Sequence, residues 1–271
     1  ILNYKVEDYS HLKICLVGAA VASSGCRIVG NILPSFLQSN QIDICIVNAE
    51  NSACGLGVTS KFCEDLHNMG VDAITLGNHS FSNKDFMRHA KNLSYVICPS
   101  NVSSSWNGNY SYVINKNNFK LGVINPMGQI NMGISCDSPF TAADALINKL
   151  KSEDKVDAIF VDFHAETSSE KQAMGYYLDG KANCVVGTHT HVQTADEKIL
   201  PNGTAYISDA GMTGAYNSIL GMDIDTSLDR LVNKLHVPYK AADGEAFMSG
   251  VIIDIEQNGK INSIRRFCEY E

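Results

Sequence analysis

The chain has 271 residues, 45% of them hydrophobic and 18% charged, enough for one large domain or two small ones with a full core, so neither a disulfide nor a metal is needed merely to hold it folded. Lys and Arg number 21 against 29 Asp and Glu, a formal net charge of -8, and no basic run offers a phosphate-tracking face, which excludes duplex nucleic acid as the main partner. The longest apolar run, Ile14 to Ala22, falls well short of the roughly 18 residues a membrane helix needs, so the expectation is a soluble protein with no membrane partner.

Short β-rich apolar runs alternate with amphipathic segments. In chain order the pattern predicts a strand over Lys13 to Val17, a helix over Arg27 to Gln38, a strand over Ile42 to Val47, a helix over Ser60 to Met69, a strand over Ala73 to Leu76 and a helix over Lys84 to Lys91. Thr59 or Ser60 suits an N-cap of the second helix, and Gly70 suits the left-handed position that ends it. Tyr110 to Ile124 reads as a hairpin turning at Asn117-Asn118. Then follow a helix over Ala142 to Ser152, a strand over Ala158 to Phe163, a helix over Ser168 to Tyr177 and a strand over Cys184 to Gly187. A last hairpin spans Phe247 to Cys268, its Asn258-Gly259 turn suiting type I′ geometry. The fold class is therefore α/β with antiparallel edges. No linker, fixed-period repeat or shift in composition marks a boundary, so the expectation is a single domain over 1-271, with residues 1-11 as a short N-terminal extension.

Nine cysteines, an odd number without C-x-x-C spacing, disfavour both a disulfide framework and a zinc knuckle and read mostly as small core side chains. That pattern fits the reducing cytoplasm. The chain opens at Ile1 without an initiator Met, which leaves a removed leader open. Asn-x-Ser/Thr acceptors occur at Asn78, Asn92, Asn101, Asn109 and Asn202. Glycosylation at Asn78 would destroy the most informative motif of the chain, which again favours the cytoplasm.

That motif is one of four, each directly after a predicted strand: Asn48-Ala49-Glu50-Asn51, Gly77-Asn78-His79, Asp162-Phe163-His164-Ala165-Glu166, and Gly187-Thr188-His189-Thr190-His191. Ligands of α/β sheets bind at the carboxyl ends of strands, so four consecutive strands are expected to deliver Glu, Asn and His to one place. Imidazole with carboxylate and amide oxygen, and no thiolate, suits Fe, Mn, Zn or Co. His189 and His191 stand two apart and would point to the same side of an extended segment. A lone histidine such as His164 is ordinarily a hydrogen-bonded core residue; agreement with three other strand ends overturns that reading. Gly77 and Gly187 allow sharp turns and close backbone approach. Asp162 or Glu166 suits a partner that fixes the His164 tautomer, although Glu166 reads equally well as a surface acid. Asp209 lies near the same crevice but is not expected to be a ligand. Residues 211-221 read either as a substrate-facing loop or as a subunit contact, and Trp106 and Tyr110 either pack or stack on a base.

Glu50-Asn51, Gly77-Asn78-His79, His164 and Gly187-Thr-His189-Thr-His191 occur in the order and spacing of the calcineurin-like metallophosphoesterases. Over nearly the whole chain, Lys13 to Ile264, the sequence more closely resembles their YmdB-like subfamily, two-metal phosphodiesterases acting on 2′,3′-cyclic nucleotides and cyclic AMP. The resemblance rests on Val47-Asn-Ala-Glu-Asn51, on Asp162-Phe-His-Ala-Glu-Thr-Ser-Ser-Glu-Lys171, on Gly187 to Asp196 and on Gly211-Met-Thr-Gly214. It implies an αββα sandwich of two mixed β-sheets flanked by helices. It also implies that Glu50 bridges two metals, that Asn51 and His191 hold the first, that Asn78, His164 and His189 hold the second, and that His79 is the general acid. The metals would be iron or manganese, with zinc also suitable, one or two ions per chain. Two such cations polarise phosphoryl oxygens and lower the pKa of a bridging water, and they let an acidic protein bind an anion. A homo-oligomer is compatible with the subfamily.

The sequence departs from that pattern at one ligand. Where members of the subfamily carry Gly-Asp-Val-Val-Gly after the first strand, this chain reads Gly18-Ala19-Ala20-Val21-Ala22, and Ala19 occupies the place of the metal-binding Asp. Ser24 replaces a Pro nearby, and Cys54 stands where a His is usual. The loss removes a ligand and a negative charge together, which predicts a weak or absent first metal. The sequence thus supports a metal-dependent phosphodiesterase of small phosphodiesters, with a degenerate relative that binds metal or nucleotide in a regulatory or interaction role as the alternative.

Overall fold

The computed structural model describes residues 11–103 and 105–271. In chain order the elements are β1 (His11–Val17), β2 (Ala19–Ala20), α1 (Ala22–Ser39), β3 (Ile44–Asn48), α2 (Ser60–Asn68), β4 (Ala73–Thr75), α3 (Lys84–His89), β5 (Val96–Ile97), β6 (Ser111–Lys116) and β7 (Phe119–Ile124). They continue with α4 (Pro139–Lys149), β8 (Ala158–His164), α5 (Ser168–Leu178), β9 (Cys184–Thr188), β10 (Lys198–Ile199), β11 (Ala205–Ile207), β12 (Met212–Ala215), α6 (Ile224–Leu231), β13 (Ala246–Glu256) and β14 (Ile261–Tyr270). The expected N-terminal extension lies, apart from His11, outside the described residues.

The strands form two mixed sheets. The first has the order β2-β12-β13-β1-β3-β4-β5, with β14 paired to β13, and the second has the order β10-β11-β9-β8-β7-β6. The neighbours β1, β3, β4 and β5 run parallel, as do β7, β8, β9 and β11, while β13 and β6 add antiparallel partners. Both faces of the central strands are buried, which is why they read as continuous apolar runs. Along β1, Leu12, Ile14 and Leu16 face the second sheet and meet the layer of Leu121, Phe160 and Val186. Cys15 and Val17 point the other way, toward Ile28, Val29 and Leu33 of α1. On the far side, Ile159, Val161 and Phe163 of β8 pack with Ala143 and Ile147 of α4 and Met174 of α5. The layering is the αββα sandwich that the family resemblance implies. All nine cysteines are free, and Cys15, Cys45, Cys63, Cys98 and Cys184 are buried core residues.

Four local expectations need correction. Helix α1 begins at Ala22, five residues before the predicted Arg27, with no side-chain cap. Its first turn is held by tertiary packing instead: Gly25 lies so close to β12 that a Cβ there would stand 2.4 Å from the Thr213 carbonyl oxygen. Helix α4 starts earlier than predicted because Ser138 caps it by accepting from Thr141 N–H with Pro139 in the first turn, and it ends in a wider π-turn over Leu150–Asp154. Helix α3 stops at His89, and a 3₁₀ turn over Ala90–Asn92 follows. The hairpin turn at Asn117-Asn118 has both residues left-handed (φ 53° and 60°), but the Asn258-Gly259 turn is not type I′. Only Gly259 is left-handed there (φ 86°), Gly259 N–H donates to the Glu256 carbonyl, and the pairing shifts between Asp254 and Ile255. The longer loop with a bulge absorbs the extra residue.

The layer between the sheets is the largest store of apolar burial, and Phe160 is fully buried within it. Phe160→Ala is expected to cost about 3–5 kcal/mol of unfolding free energy, read from the midpoint of urea denaturation at unchanged slope.

Candidate metal centre

The parallel strands of both sheets end along one edge. Strands β3 and β4 of the first sheet bring Glu50, Asn51, Asn78 and His79 there, and β8 and β9 of the second bring His164, His189 and His191. The four strand ends meet at one crevice although two strands come from each sheet, because the stacked sheets share a carboxyl edge. A buried polar seam joins them. Asp162 of β8 accepts hydrogen bonds from Asn48 Nδ2 (3.1 Å) and from the Thr75 hydroxyl across the sheet interface, and Asn125 Nδ2 donates to the Asp162 carbonyl (3.0 Å). Burial pushes the Asp162 carboxyl upward, opposed by His164 and by the hydrogen bonds from Thr188, Thr75 and Asn48.

That carboxylate also orients His164, through an intermediary. Thr188 Oγ1 donates to Asp162 Oδ1 (2.6 Å), so it must accept from His164 Nδ1 (2.9 Å). The neutral His164 ring therefore presents a bare Nε2. This atom faces Glu50 Oε1 at 2.8 Å, Asn78 Oδ1 at 3.0 Å and His189 Nδ1 at 3.1 Å. Glu166 Oε2 stands 3.0 Å from the other nitrogen of His189, so that nitrogen donates and Nδ1 is bare as well. Glu166 fixes His189, not His164 as its position in the chain suggested.

Four lone-pair atoms on Glu50, Asn78, His164 and His189 consequently converge on one point. Such a set repels itself unless a positive charge lies among them. A proton on His164 can serve one neighbour only, whereas a cation satisfies all four. Among the described residues, Glu50, His164 and His189 form the group of His, Cys, Asp or Glu donors whose atoms lie within 4.8 Å of one another. Burial alone would raise the Glu50 carboxyl, but His164, whenever it carries a proton in place of an ion, and the His79 backbone N–H, which donates to Oε2 at 3.0 Å, draw it down to about 2. Burial above all holds the His189 imidazole down to about 3, so it remains an unprotonated donor. Gly77 provides the space for this packing: a Cβ there would lie 2.2 Å from His164 Nε2 and 2.5 Å from Glu50 Oε2. The close approach at Gly187 is different, since its added Cβ would strike the Ser208 carbonyl 1.8 Å away.

His191 belongs to a second pair. Its Nδ1 donates to the Leu220 carbonyl (3.0 Å), leaving Nε2 bare and 3.2 Å from Asn51 Oδ1. Asn51 Nδ2 donates to the Gly55 carbonyl (2.9 Å), which turns its oxygen toward His191. The two histidines do not share one side of an extended segment. Both are left-handed (φ 106° at His189 and 65° at His191), and they serve different donor sets. Asp209 imposes this turn by accepting from Thr190 N–H (3.0 Å) and Thr190 Oγ1 (2.8 Å), while buried Lys171 bonds both Asp209 (2.5 Å) and the Thr188 carbonyl (2.8 Å). Both Asp209 oxygens are engaged, the second by Gly211 N–H at 2.8 Å. The Lys171–Asp209 strut escaped the sequence reading, for the two residues are 38 apart.

The residues just after Ala19 run beside this second pair: Val21 bridges Asn51, and Ala22 N–H donates to the Asn51 carbonyl (2.9 Å). Ala19 itself donates its N–H to the Gly211 carbonyl (3.1 Å) and is fully buried in a cluster with Val21, Ala22 and Met212, against which Met222, Ala241 and Phe247 pack. A cleft of about 730 Å³ opens over both donor sets, lined also by His79 and Cys54. Its volume suits a nucleotide-sized ligand. Leu220 lines it too, so the 211–221 stretch faces the cleft at that residue. Trp106 packs edge-on to Phe81 at 4.9 Å, and the Tyr110 hydroxyl donates to the Trp106 carbonyl. Asn101, one of the glycosylation acceptors, is 2% exposed and holds two backbone carbonyls. Among the described residues no helix is long and apolar enough to cross a membrane.

Two stacked mixed sheets with these donors at their common edge define a metallophosphoesterase. The family profile described as YmdB-like protein matches residues 15–267. A Bacillus subtilis (strain 168) protein named 2′,3′-cyclic-nucleotide 2′-phosphodiesterase is 41% identical over 249 residues, covering 92% of this chain and 93% of that protein. Among solved structures, a hypothetical protein from Thermus thermophilus matches with a TM-score of 0.89 and 35% identity, covering 96% of this chain and 100% of that one. A phosphatase from Mycoplasma pneumoniae matches with a TM-score of 0.89 and 32% identity, covering 96% and 94%. The chain belongs to the YmdB-like family.

The depressed groups set an acid-side stability loss. His189 takes up a proton below its ordinary 6.5 in the unfolded chain but only near 3 in the folded one, so stability falls as pH drops through that window. Glu50 adds a second loss as pH falls from its ordinary 4.5 toward 2. In chelator-treated protein, the urea midpoint of His189→Asn is therefore expected to vary less with pH between 6.5 and 4.5 than that of the parent protein.

Proposed function

We propose that the protein is a metal-dependent phosphodiesterase acting on small phosphodiesters such as 2′,3′-cyclic nucleotides or cyclic AMP. The observation that carries this reading is the convergence of Glu50 Oε1, Asn78 Oδ1 and His189 Nδ1, each 2.8 to 3.1 Å from His164 Nε2, on one point beneath the cleft. These four residues would hold one ion, iron or manganese before zinc by the hard and borderline character of the donors. Asn51 and His191, with Glu50 between the two sets, would hold a second. When bound, such ions offset the charge that develops on the phosphoryl oxygens.

The chain's own residues do the rest. Asp162, through Thr188, keeps His164 in the tautomer that binds. Glu166 does the same for His189. Asn78 Nδ2 lies 3.2 Å from His79 Nε2 and donates to it, which places the proton of the neutral His79 ring on Nδ1. In its imidazolium form that ring, on the cleft wall, passes the Nε2 proton to the ribose oxygen as the P–O bond breaks and is left as this neutral tautomer, with Nε2 accepting from Asn78. A general acid contributes about 10²–10⁴ in rate, so His79→Asn is expected to lower kcat on 2′,3′-cyclic AMP by that order while metal content is retained. Absence of both metal and turnover in Mn²⁺-supplemented parent protein overturns the reading.

Ala19 favours a second reading, a relative with an impaired first metal position that binds metal or nucleotide in a regulatory role. Its surroundings are apolar side chains, and Glu50 is the one carboxylate in the proposed ligand set. Two dications held close together need more negative charge than that. Ala19→Asp is expected to raise bound metal from about one toward two ions per chain and to raise phosphodiesterase turnover, by elemental analysis and steady-state kinetics. If neither changes, the first position has been given up and the regulatory reading gains.

A further inference from the structure

The cleft has two chemically different halves. One is the polar floor of Glu50, His79, His189 and His191; the other is an apolar wall made by Leu220, Met222, Pro238 and Tyr239. A phosphodiester and its ions account for the floor and give no reason for the wall. Tyr239 is 56% exposed and lines that wall, so part of its ring is open to the cleft.

The ring is nevertheless held in place. Asp223 N–H donates to the Lys240 carbonyl (2.8 Å) and Ala242 N–H to the Gly221 carbonyl (2.9 Å), so the backbone on the far side of Tyr239 is sewn to the loop carrying Leu220 and Met222. Met222 and Ala241 also form an antiparallel bridge. On the near side, the Arg230 guanidinium donates to the Val237 carbonyl and lies 4.1 Å from the Tyr239 ring centroid. One face of the ring is thereby covered by a cation, and the exposure belongs to the remainder. A fixed aromatic plane, one face backed by a guanidinium and part of it open to a cleft, is the arrangement on which a planar heterocycle stacks.

We propose that Tyr239, braced by Arg230, is a nucleobase-stacking subsite that makes the cleft selective for nucleoside phosphodiesters over phosphodiesters without a base. This rests on the phosphodiesterase reading above and extends it to the substrate's base. Stacking of this kind is sequence-tolerant, because every base has a π-face, so the subsite would accept purine and pyrimidine nucleotides alike. It holds the base equally in ground and transition states, and so acts on KM.

The test compares 2′,3′-cyclic AMP with the 2′,3′-cyclic phosphate of 1-O-methyl-ribofuranoside, which has the same reacting group and no base. Tyr239→Ala is expected to raise KM for 2′,3′-cyclic AMP about tenfold with kcat unchanged and to leave kcat/KM on the abasic ester unchanged; Tyr239→Phe is expected to behave as the parent. The abasic ester reports folding and the reaction centre in the same preparation. Equal loss on both esters, or no loss on either, overturns the proposal. If the parent hydrolyses neither, the phosphodiesterase reading falls, and the subsite is decided by equilibrium titration with the two esters. A preference for the nucleotide that disappears in Tyr239→Ala upholds the subsite, and equal affinity in the parent overturns it.

Discussion

A single buried carboxylate, Asp162, ties the architecture to the chemistry. It lies at the interface of the two sheets, fully buried, and accepts from Asn48 and Thr75 of one sheet and from Thr188 of its own. A carboxyl group so deeply buried is tolerated because both of its oxygens accept hydrogen bonds. The same bonds fix how the two sheets meet at their carboxyl edge and, through Thr188, which nitrogen of His164 is bare. Sheet packing and donor geometry are therefore not independent properties of this molecule.

Around that seam the donors are placed by constraints that work at a distance from them. Gly77 allows the chain after β4 to pass within a Cβ's radius of His164 and Glu50. The buried Lys171–Asp209 pair holds Thr190 and so turns His189 and His191 away from each other, into left-handed backbone that costs energy for side chains with a Cβ. Removing one member would leave an uncompensated charge in the core, which binds the pair together more firmly than its Coulombic attraction suggests. The outcome is two donor sets from a motif that, as a strand, would have served one.

The two sets are unequal. One gathers a carboxylate, an amide and two imidazoles around a common point; the other offers an amide and an imidazole beside an apolar cluster that contains Ala19. Charge balance decides the difference, since cations at short range repel each other strongly and are held together by anionic ligands.

Much of this was legible in the sequence. Continuous apolar runs marked the central strands, turn residues marked their ends, and the residues just after them, Glu50, Asn51, Asn78, His79, His164, His189 and His191, are the ones the structure brings to the shared carboxyl edge of the two sheets. Local cues failed where tertiary contacts replace them, as at the uncapped start of α1, packed on β12 through Gly25, and at the Asn258-Gly259 turn, where the register shift of the hairpin overrode the dipeptide preference. The sequence by itself determined the donor types and their order, because these depend on residue identity and on where each strand ends. Only the tertiary structure decided which donors share a point, that Glu166 serves His189 and Asp162 serves His164, and where the aromatic wall stands. Those relations join residues far apart in the chain, and nothing in local propensity encodes a contact between two sheets.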